Sequence, residues 1–341
     1  MTMSPEMAKL AAAITKTIGA NSENQEVKDW LDMGYAPLND AISGKLDGGL
    51  PLGRIVEVFG PSSSGKTWLA TCAMIEAQRQ GGMAIFLDHE RSFDVGMAEK
   101  MGLNTEFPFW IYKTPATWEE SNMVMLQAAQ LIRNSKVIKD SAPIIAVTDS
   151  IAACIAKSAA GKELDEYNMN DTTALARATS TTLKNIKPRV QEFNMLALYL
   201  NQIRTKPGVM FGDPTSTPGG GAMEFFADAR IATGRKIIRE EKNGEKEMVG
   251  QEITLKVVKT KFRRPFATCD VRLMFDPDGT PFFDKIGSAI EYLDEKKLFP
   301  RDGNYYLWDG KKLYKKALIE TIKSEGKEAE LMKLITDSMA E

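Results

Sequence analysis

RIVEVFGPSSSGKTWLATCAMIEAQRQGG, residues 54–82, reads as strand, loop and helix in unbroken succession. RIVEVF is an apolar strand, and KTWLATCAMIEAQRQ is a helix closed by Gly81-Gly82, a common helix stop. Between them Gly60–Thr67 fits the phosphate-loop pattern G-x-x-x-x-G-K-[ST] in the context that pattern requires. Gly60, Pro61, Ser62, Ser63, Ser64 and Gly65 are expected to wrap a phosphate, with backbone N–H groups turned inward and the helix start adding positive potential. Lys66 is expected to reach the β- and γ-phosphates, and the Thr67 hydroxyl to coordinate Mg²⁺. The chain is therefore expected to bind a nucleotide with Mg²⁺.

Downstream the same alternation repeats. MAIFLD is a second strand, and Thr117 with Glu120 forms a capping box opening a long helix. PIIAVTD is a third strand, and MLALYL follows a further helix near residues 171–193. Short apolar strands alternating with helices predict an α/β fold with a mainly parallel sheet flanked by helices. Ligands of such sheets sit at the carboxyl ends of the strands. Asp149, closing the third strand, is the expected carboxylate for Mg²⁺, and Glu90, just beyond Asp88, is placed to orient or deprotonate an attacking water. His89, the single histidine, stands between two acids without a partner pattern and is read as incidental.

Beyond Ala227 the pattern changes. ARIATGRKII and EITLKVV flank the turn signal KNGE, as in an antiparallel hairpin, and CDVRLMF follows. The expected organisation is an N-terminal helix and linker (1–34), a core (35–276) and a small α+β lobe (277–341). Leu10, Ile14 and Ile18 share one face of the N-terminal helix, suited to its own core or to a neighbouring subunit.

Composition narrows the function classes. The chain has 341 residues, 43% of them hydrophobic and 26% charged, with formal net charge −2, so any polyanion site must be a local cluster. Cys72, Cys154 and Cys269 lie far apart without CxxC spacing, which argues against a disulfide framework or zinc site and fits a reducing cytoplasm. No apolar run approaches the ~18 residues of a membrane span.

Residues 201–226, NQIRTKPGVMFGDPTSTPGGGAMEFF, then single out a family. The run between Thr205 and Gly221 carries five glycines and three prolines, directly after a core strand, and offers the core no evident anchor. Together with GGLPLGRIVEVFGPSSSGKT and VVKTKF in the same order, it resembles the RecA family of homologous-recombination ATPases from about Tyr35 to Phe275 and more loosely beyond. That resemblance implies an ATP-dependent recombinase in a bacterial or phage-infected cytoplasm. It would assemble as a helical homo-filament on single-stranded DNA and exchange strands with homologous duplex. It implies that Gln202, beside Asn201, senses the γ-phosphate, and that the glycine-rich run is a DNA-binding loop including Thr205, Lys206, Pro207, Val209, Met210, Gly219, Gly220 and Gly221. A first DNA loop would fall within residues 159–177, with Arg177, Ser180 and Lys184 on one face of the next helix. Lys259 and Lys261 would reach the neighbouring subunit's nucleotide, Asp94 and Pro265 would lie near the base, and Phe225 would join the interface.

Several departures mark a divergent member. Met97 stands where the family stacks a tyrosine on adenine, Pro207 where it wedges an isoleucine, and Glu224 where it has an interface lysine. The chain ends KLITDSMAE, without a long acidic tail. Two alternatives remain: a ring-shaped helicase on the same core, and a nucleotide-gated binding or signalling protein without strand exchange.

Overall fold

Met83–Asp88 and Ile144–Asp149 are buried at every residue, and Met195–Gln202 at all but its last. Such unbroken apolar runs arise when both faces of a strand are covered. The computed structural model describes residues 4–18, 26–163, 166, 169–205, 215–242 and 244–340. These strands lie inside a nine-stranded sheet. From edge to edge it runs Pro281–Phe283, Thr268–Phe275, Glu245–Thr260, Ala229–Lys242, Arg54–Gly60, Met195–Gln202, Ile144–Asp149, Met83–Asp88 and Trp110–Lys113. From Ala229–Lys242 to the Trp110 edge all neighbours are parallel, and the other three strands add antiparallel to that block. The expected mainly parallel α/β sheet is present.

The hairpin read around KNGE is also present, Ala229–Lys242 pairing with Glu245–Thr260. Its second strand shows the contrasting pattern. Gln251, Ile253, Leu255 and Val257 are buried, while Glu252, Thr254 and Lys256 between them are not, as expected of a sheet region covered on one face.

The cap forms with one shift: Thr117 Oγ1 accepts from Glu120 N at 3.2 Å, while the Glu120 carboxylate accepts from Ala116 N at 2.8 Å, one residue before the cap. The helix it opens, Trp118–Ser135, is stapled at its far end by Arg133. Its guanidinium donates to the carbonyls of Phe193, Lys139, Ala142 and Asn194, satisfying loop backbone that the sheet leaves unpaired.

After the strand Pro281–Phe283 come the helix Lys285–Glu295, a three-stranded sheet within residues 301–313, and the helices Lys315–Glu325 and Glu328–Ala340. At the other terminus the helix Pro5–Ile18 buries no residue on this chain, and Met7, Leu10, Ile14 and Ile18 are exposed. Among the described residues no helix is long and apolar enough to cross a membrane. The three cysteines are free thiols.

Candidate functional site

Four adjacent strands bring their carboxyl ends together. Gly60 is level with Gln202, and Asp88 with Asp149, across parallel pairs. The strand Arg54–Gly60 is followed in sequence by Met83–Asp88 but sits beside Met195–Gln202 and Ala229–Lys242 instead, which leaves a crevice at this edge of the sheet. A cleft of about 270 Å³ opens there, lined by Ser62–Trp68, Glu90, Asp149, Gln202, Gln251 and Leu273.

The loop at its floor takes its shape from two left-handed residues, Ser63 (φ 57°) and Gly65 (φ 80°). A turn of this kind points successive backbone amides into one concavity. Only glycine suits position 65, since a Cβ there would stand 2.2 Å from Ile253 Cδ1. Gly60 is pressed as closely by the hairpin: its Cβ would meet Thr233 Oγ1 at 2.2 Å and the Thr233 carbonyl oxygen at 2.6 Å. Ser64 Oγ and Thr233 Oγ1, 2.6 Å apart and buried, tie loop to hairpin, and Ser64 Oγ also donates to Pro61 O. The antiparallel hairpin is thus the outer wall of the phosphate loop.

Lys66 Nζ donates to Gly60 O at 3.1 Å and Pro61 O at 2.6 Å. Burial draws its pKa down, against the opposing pull of Asp149 and Glu90. Thr67 Oγ1 donates to Asp149 Oδ2 at 2.8 Å. Burial pushes the Asp149 carboxyl up to about 7, the Thr67 hydrogen bond working against it. A bound cation would reverse that shift by favouring the carboxylate. Glu90 Oε1 accepts from Ser150 Oγ at 2.5 Å and from Gln202 Nε2 at 3.1 Å. The expected base and the expected phosphate sensor are therefore hydrogen-bonded to each other within one cleft.

Next to Gln202 lies a buried ionic network. Asn201 Nδ2 donates to Glu57 Oε1 (2.9 Å) and to Pro218 O (3.0 Å), and Arg230 Nε donates to Glu57 Oε2 (2.6 Å). The Arg230 guanidinium lies over the Phe59 ring at 4.6 Å, and Glu224 approaches it at 3.5 Å. Glu57 and Asn201 are wholly buried. Arg230→Ala should therefore cost about 3 kcal/mol or more of stability, because it strands the Glu57 carboxylate in the core. Chemical denaturation checks this, and adding Glu57→Gln to the same chain should recover part of the loss.

The network corrects one expectation. The glycine-rich run does have anchors: Thr217 is buried, Pro218 O accepts from Asn201, and Thr215–Ser216 pairs with Arg204–Thr205. Gly219 rests on Ile151 and Thr179, and Gly220 on Ala176, at the helix Met169–Glu192. On the same helix Arg177, Ser180 and Lys184 are exposed. Gly221 follows at the start of the short helix Ala222–Phe226, on which Phe225 is exposed. Lys206, Pro207, Val209 and Met210 lie outside the described residues.

Other expected residues stand apart from the cleft. Asp94 caps the helix Val95–Met101, its Oδ1 accepting from Met97 N, and does not line the cleft. Lys259, Lys261 and Pro265 lie toward the opposite end of the sheet. Eight residue steps along extended strand separate Gln251 from Lys259, roughly 25 Å, farther than a lysine side chain reaches.

Sequence reasoning missed Ser150, Gln251, Trp68, Glu57, Arg230 and Thr233. A carboxylate in the middle of RIVEVF was the one visible signal, since a charge in a core strand demands a buried partner. Gln251 Oε1 and Trp68 Nε1 are buried without a hydrogen-bond partner among the described residues, on the wall of the cleft.

Comparison with known proteins bears on the same features. The family model described as RecA N-terminal domain matches residues 9–279. Protein RecA of Teredinibacter turnerae is 36% identical over 266 residues, 78% of this chain and 72% of that protein. Protein RecA of Rhodopirellula baltica is 34% identical over 298 residues, covering 86% and 73%. Protein RecA of Bacillus subtilis is 33% identical over 266 residues, covering 78% and 70%.

Proposed function

This chain belongs to the RecA family, and we propose that its ATP-dependent recombinase activity in DNA recombination and repair runs through the cleft at Gly60–Thr67 in filaments on single-stranded DNA. The reading rests foremost on the Gln202–Glu90 hydrogen bond, which joins the hydrolytic carboxylate to the base of the DNA-facing run.

The residues present suit ATP with Mg²⁺. Thr67 Oγ1 and Asp149 Oδ2 are adjacent hard oxygen donors, and Mg²⁺ is commonly held by one or two carboxylates with phosphate oxygens and water. Loop amides and Lys66 would hold the phosphates. Bound there, the nucleotide supplies a phosphoanhydride bond whose hydrolysis drives turnover. Glu90 would take the proton of the attacking water on Oε2, since Ser150 and Gln202 both donate to Oε1 and so fix the carboxylate's direction. Gln202 is continuous with Asn201, whose side chain holds Pro218 O, so a shift at the sensor is carried to the DNA-facing run.

Lys259 and Lys261 act on the next subunit's nucleotide, a reading supported by their distance from the cleft of their own chain. The exposed Leu10, Ile14 and Ile18 of the N-terminal helix and the exposed Phe225 provide apolar surface for self-assembly. Mixing Lys259→Ala/Lys261→Ala protein with Glu90→Gln protein should restore part of the turnover that each lacks, since mixed interfaces pair two intact halves. No restoration at any ratio, in filaments shown to be mixed, would place a complete site in each subunit.

DNA contacts come from Arg177, Ser180, Lys184, Thr205, Lys206, Pro207, Val209, Met210 and Gly219–Gly221, with affinity falling steeply as salt rises. Electron microscopy with single-stranded DNA and an ATP analogue, together with a homologous-pairing assay, tests the whole reading. Open helical filaments that pair homologous duplex are expected. Closed rings with strand displacement would indicate a helicase, and ATP hydrolysis indifferent to DNA a signalling protein.

A further inference from the structure

The interface lysine Lys261 is tied down on its own chain. Its Nζ donates to Asp228 Oδ1 at 2.8 Å, and Lys187 Nζ donates to the same oxygen at 2.7 Å. Asp228 is held firmly: its Oδ2 accepts from Ile55 N, its N–H donates to Ile55 O, and its carbonyl accepts from Lys261 N. The Asp228 side chain is 3% exposed, whereas those of Lys187 and Lys261 are 31% and 50% exposed. Lys187 has a second anchor, donating to Phe226 O at 2.8 Å, and no other side-chain hydrogen bond of Lys261 is seen among the described residues. Lys259 lies alongside, donating to the carbonyls of Glu224 and Phe225.

We propose that Asp228 is a latch holding Lys261 on its own subunit until a neighbour arrives, and that Lys187 is the counter-charge that lets it go. This rests on the reading that Lys261 serves the neighbouring subunit's nucleotide. The physical need for Lys187 follows from burial. A buried carboxylate stripped of its last cation is costly, whereas one that keeps a hydrogen-bonded ammonium is not. With Lys187 in place, departure of the more exposed Lys261 leaves a neutral pair behind. Without it, Lys261 could cross the interface only by abandoning a lone buried charge. Burial alone would raise the Asp228 pKa, yet the two lysine hydrogen bonds hold it below the ordinary carboxylate range, so the latch is charged at neutral pH. Lys187 and Asp228 are positioning residues, acting on the reaction only through Lys261.

The test measures DNA-stimulated ATP hydrolysis by the full chain against protein concentration, with thermal melts as a folding control. Lys187→Met should slow turnover about tenfold, and Lys187→Arg, which keeps the cation, should not. Lys187→Met/Asp228→Asn should return to within about threefold of the unmodified protein, because no charge is stranded when Lys261 leaves. Removing its partner's charge would also rescue a merely structural role for Lys187, so the melts separate the two. A structural role makes turnover follow the melting temperature, whereas the latch slows turnover in a protein fully folded at the assay temperature. A Lys187→Met protein at full rate, or a double variant no faster than Lys187→Met, overturns the latch. Should Lys187→Met fail to fold, Asp228→Asn alone decides: half-maximal turnover at lower protein concentration is expected, and an equal or higher concentration overturns the latch. Lys261→Ala is the control on the underlying reading. Full activity there removes the between-subunit role and the latch together, whereas lost activity with an indifferent Lys187→Met removes the latch alone.

Discussion

Replacing Lys66 by alanine is expected to abolish productive nucleotide binding. The ammonium is nearly buried at the floor of the cleft, held by two loop carbonyls and facing Asp149 and Glu90. Among the described residues whose side chains line that cleft, Lys66 alone is cationic. Hydrogen bonds to a charged donor contribute about 1.5–3 kcal/mol each, so losing its contacts to phosphate should weaken nucleotide binding by about a hundredfold or more. The fold should survive, because the alanine occupies a helix start whose packing comes from Leu69, Ala70 and Ala73, buried on the same helix. Titration with a fluorescent nucleotide analogue, beside a melting curve, makes the measurement. Turnover at the normal rate would remove the phosphate loop from the mechanism.

Glu90→Gln should leave nucleotide and DNA binding in place while slowing hydrolysis by roughly 10²-fold or more, the scale of losing a positioned base. The substitution is nearly isosteric. An amide oxygen can still accept from Ser150 Oγ and Gln202 Nε2, so the sensor link survives while the basicity is lost. Filaments of this variant should therefore form and persist on single-stranded DNA, with single-turnover hydrolysis slowed to the same degree as steady-state turnover. A variant that fails to bind nucleotide would make Glu90 a structural residue and leave another group to activate water.

The phosphate loop, the helix cap at Thr117 and the strands ending in Asp88, Asp149 and Gln202 were legible because their signals are local. Spacing within eight residues declares a phosphate loop, and an apolar run closed by an acid declares the end of a buried strand. The hairpin at KNGE was legible for the same reason. Even the glycine-rich run announced itself by composition, although its anchoring at Thr217 and Pro218 did not.

What only the tertiary structure decided are the partnerships between residues remote in sequence. Glu57 meets Asn201 and Arg230 because Arg54–Gly60 is inserted between Met195–Gln202 and Ala229–Lys242, an order that no local pattern encodes. Ser150 reaches Glu90 because Met83–Asp88 pairs with Ile144–Asp149. Spacing along VVKTKF placed Lys259 and Lys261 together but could not show that a strand's length separates Lys259 from the cleft of its own chain. Nor could it show that Asp228 and Lys187 stand around Lys261. The physical reason is the same in each case. Hydrophobic periodicity and turn chemistry act over a few residues and select the elements, whereas strand order is settled by which buried faces and charges can be satisfied together once the sheet is assembled.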